Sequence, residues 1–520
     1  MKNRVSKGIT MAALALTLSG CDNFLSHTQH GEPSQENFWK VEADAISAAN
    51  GLYFWTAGES MTGRGFMWYE NCSDDMVTGR PQSGAANIKN FILDNTCDAK
   101  ENWPIMYQLI KRCNDIIKYV PGMTISEKVK NETLGQAYFL RGWAYLWLSP
   151  YYGDNGKNGG IPIVTEKTSW EEIDQPRAQS VCDNYKFCIS DFEKAAELLP
   201  YFKDWGEAEY GRPHKTAAWA YAAKASLHNA QYDASYYQKV VDYCDKVIPH
   251  HDLLANFADM FKIANNFSPE YVWSWTSTQE DGCKLPGVML ENKGWGLYNG
   301  WGYFMPTLEL LKEFEDGDTR RAATILKPGD YFTFLGKNRL YYSTESASGM
   351  QFKKYMEPFE PADAIGKTVN PSGDNMTTRL SIPLVRFSEV LLWKAEALIW
   401  QGKNGDEPLN RVRQRAGLSP KQNATKEDLK HERRCELAGE FTGRHLDLVR
   451  WGDAKAVYAK PLHGYKTTLK VNDKGEVEIE KVEEIEVWES RSFNPSINHV
   501  MPIPIDEIAK SKNLVQNNGF

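Results

Sequence analysis

The sequence predicts a mainly α-helical protein in which irregular pairs of helices form a scaffold, long loops run between them, and a small β-hairpin stands near the C-terminus. Three observations carry this. Apolar residues recur at helical spacing in one segment after another. Two stretches read as helix, short turn, helix, so that each member can bury its apolar stripe on the other. Between those pairs, residues 256–380 lose the helical period and gain Gly, Trp, Tyr, Asn and Ser, as in YVWSWTSTQEDGCKLPGVMLENKGWGLYNGWGYFMP. A segment that long without elements of its own is expected to carry function.

The chain begins MKNRVSKGITMAALALTLSGCDNFL. Lys2, Arg4 and Lys7 precede an apolar run of about 11 residues, the length of a secretion signal and well short of the ~20 that span a bilayer. Leu18, Ser19, Gly20 and Cys21 then resemble a bacterial lipobox, in which the Cys thiol is acylated and becomes the new N-terminus. The expectation is a signal over residues 1–20, a lipid-anchored tether over 21–35 with Cys21 as the acylated residue, and one domain over 36–520. In ENWPIMYQLIKRCNDIIKYVPG the stripe Trp103, Tyr107, Ile110 and Ile117 is stopped by Pro121 and Gly122. Leu134, Tyr138, Arg141, Tyr145 and Leu148 continue the period, as do Tyr185, Ile189, Phe192, Ala196 and Leu199 before Pro200. The first pair, TAAWAYAAKASLHNAQYDASYYQKVVDYCDKVIP, turns around Asp233. The second, VRFSEVLLWKAEALIWQGKNGDEPLNRVRQRAGL, turns at Gly402 and Gly405. Small residues on the first helix of a pair let backbones approach, and Leu134, Gly135 and Tyr138 match half of the ~34-residue tetratricopeptide pattern. The pairs are therefore read as irregular and tetratricopeptide-like, with the scaffold over 36–255 and 381–455, the loop region over 256–380, and a hairpin and tail over 456–520. In that last part KTTLKVNDKGEVEIEKV alternates apolar and polar residues about an Asn-Asp-Lys-Gly turn.

The net charge of −8 is made of both signs spread along the chain, which gives no electrostatic footprint for nucleic acid. After Cys21 no apolar stretch is long enough to span a bilayer, so membrane attachment would rest on lipid alone. None of the Cys residues after Cys21 forms a C-x-x-C pair, which leaves a zinc ribbon or a thioredoxin-like site without support. Cys113, Cys188 and Cys244 fall among the apolar residues of helices as buried thiols; the loop residues Cys72, Cys97 and Cys283 are the candidates for a disulfide in an exported protein. EFEDGDTRR alternates Asp316 and Asp318 but lacks the later acidic ligand of a calcium loop and places Arg320 where a third oxygen is wanted. It reads as a local turn from Asp318 to Arg320. In HERRCELAGEFTGRHLDLVRWGD, the residues Glu432, Arg433, Glu436, Arg444, Asp447 and Arg450 fit ion pairs along helix faces. The chain holds no G-x-S-x-G, no H-E-x-x-H and no phosphate-cradling Gly-rich motif. Neither an enzyme nor a cofactor or metal is expected.

In chain order, CDNFL, PSQENFWKVEADAISAANGLY, ENCSDDM, RCNDII, LGQAYFLRGWAYLWLSPYYGDNGKNGGIPIV, ISDFEKAAELLP, GRPHKTAAWAYAAKASLH, RFSEVLLWKAEAL, ERRCELAGEFTGRHLDLVRWGD and MPIPIDEIAKSKNLVQNNGF resemble the SusD/RagB family of outer-membrane nutrient-binding lipoproteins. The likeness spans nearly the whole mature chain. It implies a fold of irregular tetratricopeptide-like pairs whose loops form the ligand surface. It also implies a place on the outer membrane, as a lid over a SusC-like TonB-dependent transporter, capturing oligosaccharides or, in the RagB branch, peptides. A helical-repeat scaffold that binds no ligand remains the third reading.

Sugar rings have an apolar face of C–H bonds and a rim of hydroxyls, so a sugar site wants exposed aromatic platforms beside polar groups. GWGLYNGWGYF supplies Trp295, Tyr298, Trp301 and Tyr303, with Trp273 and Trp275 upstream. The same rings are equally suited to plugging gaps beneath a long loop, and the sequence leaves both readings open. GFMWYENCSDDMVTGRPQSGAAN offers Trp68, Asp74, Asp75 and Arg80 in a polar loop. The family resemblance implies that this neighbourhood contributes acidic and Arg contacts to the ligand through charge-assisted bonds; a structural ion pair fits as well. The candidate ligand residues are thus Trp68, Asp74, Asp75, Arg80, Trp275, Trp295, Tyr298 and Trp301.

Overall fold

The structure is a computed structural model that describes residues 38–56, 61, 64–80, 84–93, 98–276, 289–295, 300–334, 336–356, 369–370 and 377–520. Cys21 and its tether, Tyr298, Cys97 and Cys283 lie outside the described residues. The described helices of eight or more residues are α1 (Glu42–Tyr53), α2 (Arg64–Asn71), α3 (Asn102–Tyr119), α4 (Glu127–Tyr152), α5 (Val181–Leu198), α6 (Lys215–Ala230), α7 (Tyr236–Val247), α8 (Phe387–Trp400), α9 (Asp406–Arg415), α10 (Lys426–Leu437) and α11 (Arg444–Trp451). Strands of three or more residues are β1 (Met76–Thr78), β2 (Tyr271–Trp275), β3 (Phe304–Pro306), β4 (Tyr331–Phe334), β5 (Lys337–Leu340), β6 (Ile382–Arg386), β7 (Leu462–Val471) and β8 (Val477–Trp488).

From α3 to α9 each helix packs on the next, the mainly α arrangement that the periodicity predicts. The Ser126 hydroxyl accepts from the Val129 amide at the start of α4, satisfying an amide that the helix itself leaves without a partner. Along α4, Gly135 and Gly142 face α5 so closely that a Cβ would lie 2.7 Å from the Leu199 side chain or 3.1 Å from the Phe192 ring. Only a residue without a side chain permits that approach. The Ala-rich α6 is buried on both sides, between α5 and α7. Arg141, which falls on the apolar stripe of α4, is buried because it ties three elements together. Its guanidinium holds Asp191 of α5 through two 2.8 Å bonds, Asn114 of α3 at 2.8 Å and Glu166 at 2.7 Å.

Helix α7 packs directly on α8 although residues 248–386 intervene in sequence. Strands β2 and β6, at the two ends of that insertion, pair antiparallel and close its base, with Trp275 opposite Ile382 and Trp273 opposite Val385. Every residue of both strands is buried. Trp273 packs edge-on against Phe139, Trp143 and Tyr221, and its Nε1 donates to the Gly211 carbonyl at 3.0 Å. The C-terminal hairpin β7/β8 forms where the alternation predicts it, its turn closed by bonds between Asn472 and Glu476.

The charged run of α10 and α11 forms a structural network, but its partners are not the helix-face neighbours that spacing suggests. Glu432 and Glu436 are fully buried and meet arginines from distant segments: Arg320 and Arg413 at Glu432, and Arg320, Arg386 and Arg415 at Glu436. Arg433 joins Glu389 of α8, and Arg450 joins Glu396. Asp447 with Arg450 is a pair within one helix, at 2.8 Å. The face of α10 that carries these charges points into the protein, where the low dielectric favours complete pairing. Asp318 does turn back on Arg320, accepting from its amide at 2.9 Å and its guanidinium at 2.7 Å. The thiols of Cys113, Cys188 and Cys244 are free and buried, and the buried thiol of Cys72 faces the Ile88 carbonyl at 3.5 Å.

Candidate ligand-binding site

Two loops far apart in sequence are joined by a short ladder. Strand β1 pairs antiparallel with β3, with Met76 opposite Pro306, Val77 opposite Met305 and Thr78 opposite Phe304. The Gly79 amide extends the ladder to the Tyr303 carbonyl at 3.0 Å, and Thr307 bonds the carbonyls of Asp74 and Asp75 below it. Buried Lys89 fixes the turn before β1, because its ammonium donates to the carbonyls of Asn71, Ser73 and Met76 at 3.0, 3.1 and 2.7 Å. The ladder delivers Arg80 beside the aromatic loop. Its guanidinium lies 5.1 Å from the Tyr303 ring centre and reaches the Trp301 carbonyl at 3.5 Å.

The aromatic loop doubles back on itself, the amides of Gly302 and Tyr303 donating to Glu291 and Met289 at 2.9 and 2.8 Å. Asn292 anchors it: its amide nitrogen donates to Gln351 at 2.6 Å and its side chain to the Tyr341 hydroxyl at 3.0 Å. Half-buried Trp295 leans on the hairpin β4/β5, with ring centres 4.8 Å from Tyr341 and 5.0 Å from Tyr342. The Arg339 guanidinium lies 4.8 Å from the Trp295 ring centre and donates to the Gly294 carbonyl at 2.9 Å. Stacking a cation on an indole face combines ring attraction with a fixed orientation of the donors.

Of the residues singled out by sequence, Arg80 meets Trp301 at the ladder, and half-buried Trp295 lies further along the same doubled loop. Four others go elsewhere. Trp68 is 6% exposed within the core, and Trp275 is 7% exposed in the β2/β6 pair, near Phe441. Asp74 lies beneath the loop, 2.8 Å from Arg434 and 3.1 Å from Arg444, and Asp75 meets Arg434 at 2.7 Å. Burial opposes the charge on Asp74, but Arg434 and Arg444 prevail and hold its carboxyl well below the usual range; at Asp75 burial outweighs Arg434 and displaces the carboxyl upward. Glu70 holds the start of α11 by accepting the amides of Gly443 and Arg444, and burial pushes its carboxyl up to about 8. These acids are thus scaffold for the loop, and the polar reach toward solvent comes from arginine. Sequence reasoning missed Arg339. The signal was present in YFTF and KNRL, alternating strands about Gly336, whose φ of 71° suits the turn. Among the described residues no cluster of His, Cys, Asp and Glu could hold a metal, and no helix is long and apolar enough to cross a membrane.

Fold and surface together define a helical-repeat protein that carries an aromatic and guanidinium surface on inserted loops. Residues 269–520 match the model of the SusD family, and residues 39–227 match a SusD-like model described as starch-binding associating with outer membrane. The chain belongs to the SusD/RagB family. It is 24% identical to a SusD-like protein of Bacteroides ovatus, over 86% of this chain and 82% of that one. A SusD-like protein from Bacteroides fragilis superposes with a TM-score of 0.75 at 22% identity, covering 94% of this chain and 99% of that one. Surface glycan-binding protein A from Bacteroides thetaiotaomicron, solved with laminarihexaose, superposes with a TM-score of 0.69 at 21% identity, covering 92% of this chain and 100% of that one. At these identities the structural likeness establishes the fold.

Proposed function

We propose that this protein is a cell-surface glycan-binding protein that captures oligosaccharides and passes them to a SusC-like TonB-dependent transporter. The observation that carries the reading is that the β1/β3 ladder brings Arg80 of one loop against Trp301 and Tyr303 of the other, which also carries half-buried Trp295 beneath Arg339. A related fold bound to laminarihexaose and a matching model described as starch-binding support the same ligand class. The chemistry is binding. A sugar face covering ~60 Å² of a ring contributes about 1.5 kcal/mol at ~25 cal/mol per Å², and guanidinium groups supply directional bonds to the rim. A few such contacts, less the cost of ordering the sugar, give dissociation constants of roughly micromolar to millimolar.

Calorimetry after a glycan array tests this. The double variant Trp295→Ala, Trp301→Ala is expected to weaken oligosaccharide binding ~10- to 100-fold while melting as a folded protein. Undiminished binding would move the site, and the groove of about 670 Å³ lined by Trp39, Phe54, Trp55 and Tyr119 is the next place to look. Binding of peptides and no glycan would favour the RagB-like alternative.

The outer-membrane part of the reading rests on the lipobox and on the family. Labelled fatty acid should enter the wild-type chain and not Cys21→Ala, and membranes dissolved in mild detergent should yield a β-barrel partner with the wild type. Recovery of an unacylated chain, alone in several detergents, contradicts both.

A further inference from the structure

Among the described residues around Trp295, the charges left after every buried pair is assigned are predominantly positive, in a chain whose net charge is −8. Asp74 and Asp75 are held by Arg434 and Arg444 beneath the ladder. Asp330, at the foot of the β4/β5 hairpin, is held by Arg321 at 2.8 Å and Lys327 at 3.5 Å. Glu291, within the aromatic loop, is 1% exposed, so its carboxylate does not face solvent. On the other side of the balance stand Lys293 and Lys337, both exposed, and Arg339, half-buried over Trp295. Exposed Glu345 is not ion-paired with any of them among the described residues. Lys337 and Arg339 are two positions apart on β5 and share a face, about 7 Å from one another. The bond from Arg339 to the Gly294 carbonyl places that face beside Lys293. Exposed Arg80 stands at the other end of the same doubled loop, through its contact with Trp301.

A surface for neutral sugars mixes donors with acceptors, because each hydroxyl does both. Among the described residues, the charged side chain stacked on Trp295, Arg339, and its strand neighbour Lys337 are donors only, and a guanidinium fork suits a planar carboxylate or a sulfate better than a lone hydroxyl. We infer that the oligosaccharide taken by this loop is acidic, its carboxylate or sulfate groups meeting Lys337 and Arg339 while a sugar ring lies against the aromatic loop. This rests on the glycan-binding reading and names the class of glycan.

Calorimetry with hexagalacturonate, a chondroitin sulfate hexasaccharide, the desulfated chondroitin hexasaccharide and laminarihexaose, at about 0.02 and 0.5 M salt, separates the cases, since salt screens charge and leaves stacking in place. The expected result is that an acidic probe binds more tightly than laminarihexaose at low salt and loses affinity at high salt. Lys337→Gln with Arg339→Gln should weaken it about tenfold or more and flatten its salt dependence, and Arg339→Lys should restore part of the loss. Binding of the galacturonate alone assigns a carboxylate, and binding of the chondroitin sulfate probe but neither the galacturonate nor the desulfated chondroitin hexasaccharide assigns a sulfate. Salt-independent binding of laminarihexaose with no response to any acidic probe overturns the acidic assignment and leaves the glycan reading standing. Salt-dependent binding that the double variant does not weaken also overturns it. If no saccharide binds, both fall together.

Discussion

Replacing Glu436 by Gln lowers folding stability by about 3–5 kcal/mol, read as a fall in the urea midpoint at unchanged slope. The side chain is wholly buried and shared by three arginines, Arg320, Arg386 and Arg415. Burial alone would raise its carboxyl, yet those cations hold it well below the usual carboxylate range, so it is charged at neutral pH. Gln has the same shape, so no cavity opens and the loss isolates the charge. What remains is a group of buried guanidinium ions short of one counterion, and uncompensated buried charge is the costly state. The exposed pair of Lys312 and Glu484 is the control: Glu484→Gln should change stability by less than ~1 kcal/mol. Equal effects of the two substitutions would mean that the network is not what holds α10 in place.

Gly79→Ala should weaken oligosaccharide binding more than about tenfold while lowering the melting temperature by only a few degrees. A Cβ at residue 79 would stand 2.0 Å from the Gly302 carbonyl oxygen and 2.7 Å from the Met305 methyl. The Met side chain can swing away; the backbone oxygen cannot. The extension of the β1/β3 ladder must therefore part, and with it go the bond from Gly79 to Tyr303 and the alignment of Arg80 with Trp301. The core is untouched, because the strain is confined to two loops. Gly51→Ala, where nothing lies within 4 Å of the added methyl, serves as the neutral control in α1. Unchanged affinity in Gly79→Ala would remove the ladder, and the surface it builds, from the binding reading.

The helices from α3 to α9 were legible because each is specified by its own apolar period and stop signals, such as Pro121 and Gly122 after α3. The C-terminal hairpin was legible for the same local reason, its alternation and turn lying within one short stretch. The site was legible only as a list of residue types. Trp295 and Trp275 look alike in sequence, both in aromatic-rich segments, yet one leans on a surface hairpin and the other closes a buried strand pair with β6. Asp74, Asp75 and Arg80 share one loop, and only Arg80 reaches solvent.

By itself, then, the sequence determined the helical-pair scaffold, the hairpin, the family and the kinds of side chain available for a ligand. Tertiary structure alone decided which of those side chains face outward. Helix period and turn chemistry act over a few residues and are written in adjacent positions. The burial of Asp74 by Arg434, the pairing of Arg320 with Glu432 and the placing of Arg80 at Trp301 join segments more than a hundred residues apart. Such contacts depend on where the packed helices bring the loops, and a buried charge takes whichever counterion the fold puts within reach.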